Sequence, residues 1–181
     1  VTAHALEALA PEPGYDAVVR RGLHYLLAAQ QDDGSWWGRW GVNHLYGTGA
    51  VLPALEACGL PPDHPAIQRA VAWLDSVQQE SGGFGEDIRS YHDRAWRGRG
   101  EATPSQTAWA LLAYAAAGKA KSESARRAAG YLCATQLHNG DWSEQHYTGT
   151  GFPTDFMIRY HLYRLHFPLM ALGRLRERMA T

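Results

Sequence analysis

The sequence predicts an all-α fold, a ring in which outer helices shield inner ones, and two observations carry that expectation. Helical runs that are apolar along one side alternate with runs that are apolar almost all round, the pattern of a shielding layer over a doubly buried one. A block of residues also recurs: Arg21-Gly22, Tyr25-Leu26, Gln30, Gly34 and Trp36 return as Arg69-Ala70, Trp73-Leu74, Gln78, Gly82 and Phe84. Arg127-Ala128, Tyr131-Leu132, Gln136, Gly140 and Trp142 form a third copy at the same offsets, as stacked helix-pair units do. Each copy reads as an outer helix closed by a glycine turn, with an aromatic packed on the turn and a glutamine bonded to free backbone at a neighbouring helix end. No strand is expected.

Taken in order, Val1 to Leu9 reads as helix already under way, which predicts that more chain lies upstream. Beyond Pro11-Glu12-Pro13-Gly14, a helix from about Asp16 to Gln31 has Asp16 as N-cap and turns Val19, Leu23, Leu26 and Leu27 inward. The run from Thr48 to Cys58 is apolar all round, and Pro53 should bend it or set its start. Pro65 to Gln79 is amphipathic through Ile67, Ala70, Val71, Leu74 and Val77. A polar loop, Gly82 to Ala102, leads to Thr103 and Gln106 at capping-box spacing, with Pro104 at the first helical position. The nearly all-apolar helix that follows carries Trp109, Leu111, Leu112 and Tyr114 and stops at Gly118, and an amphipathic helix runs from Ser122 to Gln136. In the last segment Pro153 suits a first helical turn, so Phe152, Phe156, Tyr160 and Tyr163 would share one helix face as an aromatic wall. A core stripe is the ordinary reading of aromatics at that spacing, and the two phenols weaken it, because a wall facing a cavity can settle hydroxyls at the rim where a dry core must find them partners. Pro168 should interrupt that helix, and Leu169 to Arg178 should form a short basic one.

The composition, 181 residues with 45% hydrophobic and 19% charged, suits a globular chain with a sizeable core. A net charge of -1 excludes a polyanionic partner such as nucleic acid. Cys58 and Cys133 stand apart from any metal-ligand spacing and read as buried, reduced thiols of a cytosolic protein, so zinc is not indicated. Asp32-Asp33 reads as a solvated turn and Glu86-Asp87 as a loop or ion-pair feature. His44, His92, His138, His146, His161 and His166 lack ligand spacing and read as surface or rim residues.

The repeats resemble the QW motifs of triterpene cyclases, and the sequence between them resembles the C-terminal part of the prokaryotic, squalene–hopene type of that family. The blocks that carry the resemblance are Val1-Thr2-Ala3-His4, Asp33-Gly34-Ser35-Trp36 with Gly38-Arg39-Trp40-Gly41-Val42-Asn43, Tyr46-Gly47-Thr48-Gly49, Thr103 to Ala110, and Tyr147 to Pro153. The resemblance implies an (α/α)6 barrel, of which residues 1–181 are the C-terminal portion of the catalytic domain, with an Asp-rich motif and a second barrel upstream. It implies proton-initiated cationic polycyclisation of squalene or a similar linear isoprenoid without cofactor or metal. It also implies peripheral attachment to the cytoplasmic face of a membrane, and a homodimer. The matching site residues are Phe152, Phe156, Tyr160 and Tyr163 in the cavity, Trp40 and Tyr46 near the initiating end, and His4 as hydrogen-bond partner of the acid. Aromatic faces suit that chemistry, because a ring quadrupole steadies a carbocation without the lone pair that would quench it. The family's Asp-x-Asp-Asp does not occur in 1–181, Phe84 replaces a repeat tryptophan, and Ala8 stands where some relatives carry cysteine. Without the acid, the alternatives are a non-catalytic helical toroid that binds an apolar chain, or part of a cyclase for another terpenoid.

Overall fold

The computed structural model describes residues 1–153 and 155–180. Seven α-helices are present among them: α1 (Thr2–Leu9), α2 (Asp16–Ala28), α3 (His44–Ala57), α4 (Pro65–Val77), α5 (Pro104–Ala116), α6 (Glu123–Thr135) and α7 (Tyr163–Ala180). The inner row runs α1, α3, α5, α7, each packed on the next, while α2, α4 and α6 lie behind it. The layering follows the sequence pattern. Every residue of α5 is buried, and α3 buries residues all round its circumference, whereas α2, α4 and α6 each bury one stripe.

The repeated glutamine and glycine join neighbouring copies. Gln30 Nε2 donates to Gly34 O at 2.9 Å within its own turn and to Ala66 O at 2.8 Å in the first turn of α4. Gln78 repeats the pair with Gly82 O at 2.9 Å and Ser124 O at 2.9 Å in α6. Gln136 keeps the bond within its turn, to Gly140 O at 3.1 Å. The repeat aromatics also behave alike, since Trp36 and Trp142 donate their indole N–H to Leu26 O at 2.7 Å and Leu132 O at 2.8 Å. Gly34 and Gly82 have φ of +96° and +87°, and a Cβ at either would lie 2.5 Å from a carbonyl oxygen of the next copy, Arg69 or Arg127. Turn conformation and close approach therefore both demand glycine there.

Several local expectations are corrected. Asp16 is the first helical residue of α2, Tyr15 is the N-cap, and no side chain caps that end. α3 starts at His44, ahead of Thr48, and Pro53 lies inside it. His44 is 1% exposed, not a rim residue, and Cys133 is exposed, not buried. Thr103 caps α5 as expected, its Oγ1 accepting from Gln106 N at 3.2 Å, but the reciprocal bond of a capping box is missing, because Thr103 N donates to Phe84 O while Gln106 Oε1 accepts from Thr103 Oγ1 at 3.0 Å and its amide also bonds Val42 O and the backbone of Glu86.

The largest correction concerns the expected aromatic helix. Strand β1 (Gly149–Phe152) pairs antiparallel with β2 (Phe156–Ile158), and α7 begins only at Tyr163. Thr154, inside that span, lies outside the described residues. The strand is drawn into extension by distant backbone: Val42 N donates to Thr148 O at 2.9 Å and Thr150 N to Trp40 O at 3.1 Å. Phe152 and Phe156 thus face each other across a hairpin instead of following one another up a helix. Pro168 does not interrupt α7, which runs through it as its sixth residue.

Candidate active site

Tyr46 lies in the first turn of α3 and points at α1, where its hydroxyl is 3.2 Å from His4 Nε2. Burial lowers the His4 pKa, and Glu7, 4.0 Å from Nδ1, works against that shift. The carboxylate beside Nδ1 favours a proton on that nitrogen, which leaves Nε2 to accept from Tyr46. Burial raises the Tyr46 pKa, so its hydroxyl stays protonated as the donor.

Rings continue from Tyr46 in a closed circuit. Its ring meets Trp109 of α5 edge-on at 5.0 Å, and Trp109 meets Tyr163 at 6.0 Å and Phe167 at 5.3 Å, both on α7. Tyr163 stacks on Tyr160 at 4.6 Å. Burial, then Tyr46 and Tyr160, pushes the Tyr163 pKa up to about 12. Two glycines close the loop: a Cβ on Gly149 would lie 2.5 Å from the Tyr160 ring and one on Gly41 would lie 2.4 Å from the Tyr46 ring, and Gly41 and Gly149 are bridged by backbone pairing. His4, Tyr46, Trp109 and Phe167 also line a cavity of about 170 Å³.

Trp40, Phe152 and Phe156 extend this patch along the hairpin. Phe152 and Phe156 are 60% and 55% exposed, and Trp40, whose carbonyl pairs with β1, is exposed with the Arg39 guanidinium 5.0 Å from its ring centre. Ring contacts therefore join Tyr46 to Tyr163 and Tyr160 through Trp109, with His4 bonded to Tyr46, and backbone pairing brings Trp40 alongside the hairpin that carries Phe152 and Phe156. The route differs from expectation, since that arrangement is built by α1, α3, α5, α7, the hairpin and the Trp40 loop.

Three contributors escaped the sequence reading. Trp109 is the hub of the ring circuit, and Phe167 follows Tyr163 one helical turn on, at 4.9 Å. Both were readable as helix-face positions once α5 and α7 were placed. Tyr91, in the loop after α4, sits with its hydroxyl 2.9 Å from Gly38 O and 2.8 Å from Gly41 O, bracing the turn that carries Trp40. No local spacing signals that contact. Among the described residues no group of three or more His, Cys, Asp or Glu is placed to hold a metal ion, and no helix is long and apolar enough to cross a membrane.

Residues 1–177 match the family described as the squalene-hopene cyclase C-terminal domain. The chain belongs to that family. It is 54% identical over 180 residues to squalene–hopene cyclase of Alicyclobacillus acidocaldarius, a match covering 98% of this chain and 28% of the relative. Squalene–hopene cyclase of Zymomonas mobilis is 48% identical over 163 residues, covering 90% of this chain and 25% of the relative. The chain thus spans about a quarter of the length of these cyclases. Among solved structures, ent-copalyl diphosphate synthase from Streptomyces platensis superposes with a TM-score of 0.68 at 24% identity, over 96% of this chain and 32% of that one. A variant of the type II terpene cyclase MstE from Scytonema, in complex with geranylgeranyl dihydroxybenzoate, gives 0.67 at 22% identity, over 95% and 53%. These two likenesses establish the α/α toroid architecture of terpene cyclases for the squalene–hopene cyclase C-terminal domain described here.

Proposed function

We propose that this chain is the C-terminal portion of the catalytic (α/α)6 domain of a cyclase that converts squalene, or a similar linear isoprenoid, by proton-initiated cationic polycyclisation. The observation that carries the reading is the ring circuit of Tyr46, Trp109, Tyr163 and Tyr160, with Trp40 and the hairpin of Phe152 and Phe156 paired alongside. On this reading Tyr46, Trp40, Phe152, Phe156, Tyr160 and Tyr163 offer ring faces to the substrate, and each desolvated ring facing a cation contributes about 2 kcal/mol or more. At the initiating end His4, bonded to Tyr46, is the residue that the family resemblance places beside the acid. The acid itself would come from an Asp-rich motif upstream, since 1–181 contains none. Peripheral attachment to the cytoplasmic face of a membrane and a homodimer belong to the same reading.

The test uses the full-length enzyme and gas chromatography of its products. Phe152→Ala and Phe156→Ala should leave initiation intact and accumulate products with fewer rings, with a shift of roughly ten- to a hundredfold in partition between ring closure and early deprotonation. His4→Ala should lower total turnover and leave the product ratio alone, because it acts before the carbon skeleton commits. Normal product at reduced rate from both phenylalanine variants would make those rings packing residues and overturn the assignment.

A further inference from the structure

α3 receives its N-terminal cap from another part of the chain. Asn43, the residue before α3, turns its side chain to Gly38 N at 3.1 Å, which leaves the helix without a cap of its own. Glu86, 4% exposed, reaches in from the loop after α4, and its Oε2 accepts from Asn43 N at 3.2 Å and Leu45 N at 2.8 Å. Burial raises the Glu86 pKa and these backbone donors oppose that shift. The backbone of Glu86 is itself held by Gln106 of α5, which accepts from Glu86 N at 3.0 Å and donates to Glu86 O at 2.9 Å. Glu144 plays the equivalent part for α5, accepting from Ser105 N at 3.0 Å, Ser105 Oγ at 2.8 Å and Thr148 Oγ1 at 3.0 Å.

The two caps differ in what their helices carry. Tyr46 directly follows the gripped Leu45 N–H, and its hydroxyl is the one that meets His4. Its ring is wedged between Gly41 and Trp109, so it cannot swing to follow a displaced backbone. We infer that Glu86 is a positioning residue for the Tyr46–His4 pair, holding the first turn of α3 where the hydroxyl reaches the imidazole. The inference rests on reading that pair as the initiating end of a cyclase site.

Crystal structures and squalene turnover of the full-length enzyme test it with Glu86→Ala, Glu86→Gln and Glu144→Ala. Glu86→Ala leaves two helix N–H groups without their acceptor, so the His4–Tyr46 separation should open beyond hydrogen-bond reach. Turnover should then fall about tenfold with an unchanged product ratio. Glu86→Gln, whose amide oxygen still accepts, should restore both, and Glu144→Ala should keep the 3.2 Å separation. In a Tyr46→Phe background, Glu86→Ala should lower turnover no further, because the two changes remove one interaction. An intact His4–Tyr46 distance in Glu86→Ala, or losses that multiply with Tyr46→Phe, would reduce Glu86 to a general stability cap. Should Glu86→Ala fail to fold, Glu86→Asp, one methylene shorter, makes the same test. A parent enzyme that converts no squalene would sink the functional reading, while the distance would still decide this inference.

Discussion

His44 occupies the first helical position of α3, where a positive charge is disfavoured by the helix dipole, and it is 1% exposed. Its Nδ1 lies 2.8 Å from Ser35 Oγ, and that hydroxyl donates to Asp33 Oδ1 at 2.6 Å, so His44 must hold its proton on Nδ1 and donate to Ser35. Burial, then the Arg97 guanidinium, lowers its pKa from 6.5 to about 4, with Asp33 opposing. Because the folded value lies below the unfolded one, this contribution to stability is complete above about pH 6.5 and is lost as pH falls towards 4. Urea unfolding of the intact protein should show about 2 kcal/mol less stability from this residue at pH 5 than at pH 7.5, and His44→Asn should remove that part of the slope. An unchanged slope in the variant would exclude His44 as its source. Nothing in the spacing of His44 and Ser35 announced the contact, which depends on α3 starting at residue 44. Asp32 was more legible, exposed as the sequence indicates and paired with Arg94, whereas Asp33 is half-buried rather than solvated and accepts from Ser35 and from Arg97 at 2.9 Å.

The helices were legible as elements because α2, α4 and α6 have a clear apolar period, α3 and α5 are apolar all round, and local stop signals separate them, while Thr103, Pro104 and Ser122 mark their helix starts as the sequence indicates. The segment from Gly149 to Tyr163 was misread for a physical reason. A proline after Phe152 and aromatics four apart satisfy a helical first turn and a tight hairpin equally well, and the choice is made by the Trp40–Val42 backbone more than a hundred residues away in sequence. The glycine turns offer a comparison between two otherwise equivalent sites. Gly82 and Gly140 have φ of +87° and +83°, so alanine at either costs about 1–2 kcal/mol of backbone strain. At Gly82 the added methyl would also meet Arg127 O at 2.5 Å, whereas Gly140 has open space around it. Gly82→Ala should therefore lower the Tm further than Gly140→Ala, measured by calorimetry on the same protein. Equal losses would mean that the contact between copies contributes nothing.

At the scale of the molecule, the aromatic wall is one side of a site whose proton donor lies elsewhere on the proposed reading. Residues 1–181 expressed alone should accordingly convert no squalene, and any cyclised product found by gas chromatography would place the acid within this chain. The ring architecture was legible from the repeat because each copy obeys the same offsets, while the arrangement that gathers His4, Trp40, Tyr46 and the hairpin is a product of long-range packing that no window of sequence contains. The bond between copies has a further consequence, for how the protein is made. Gln30 closes on Ala66, 36 residues later, and Gln78 on Ser124, 46 residues later. At translation speeds of roughly 5–20 residues per second, each glutamine waits about 2–9 s for its carbonyl to be synthesised. The first two copies thus leave the ribosome with a latch open, and each can close only once the outer helix of the next copy has been made.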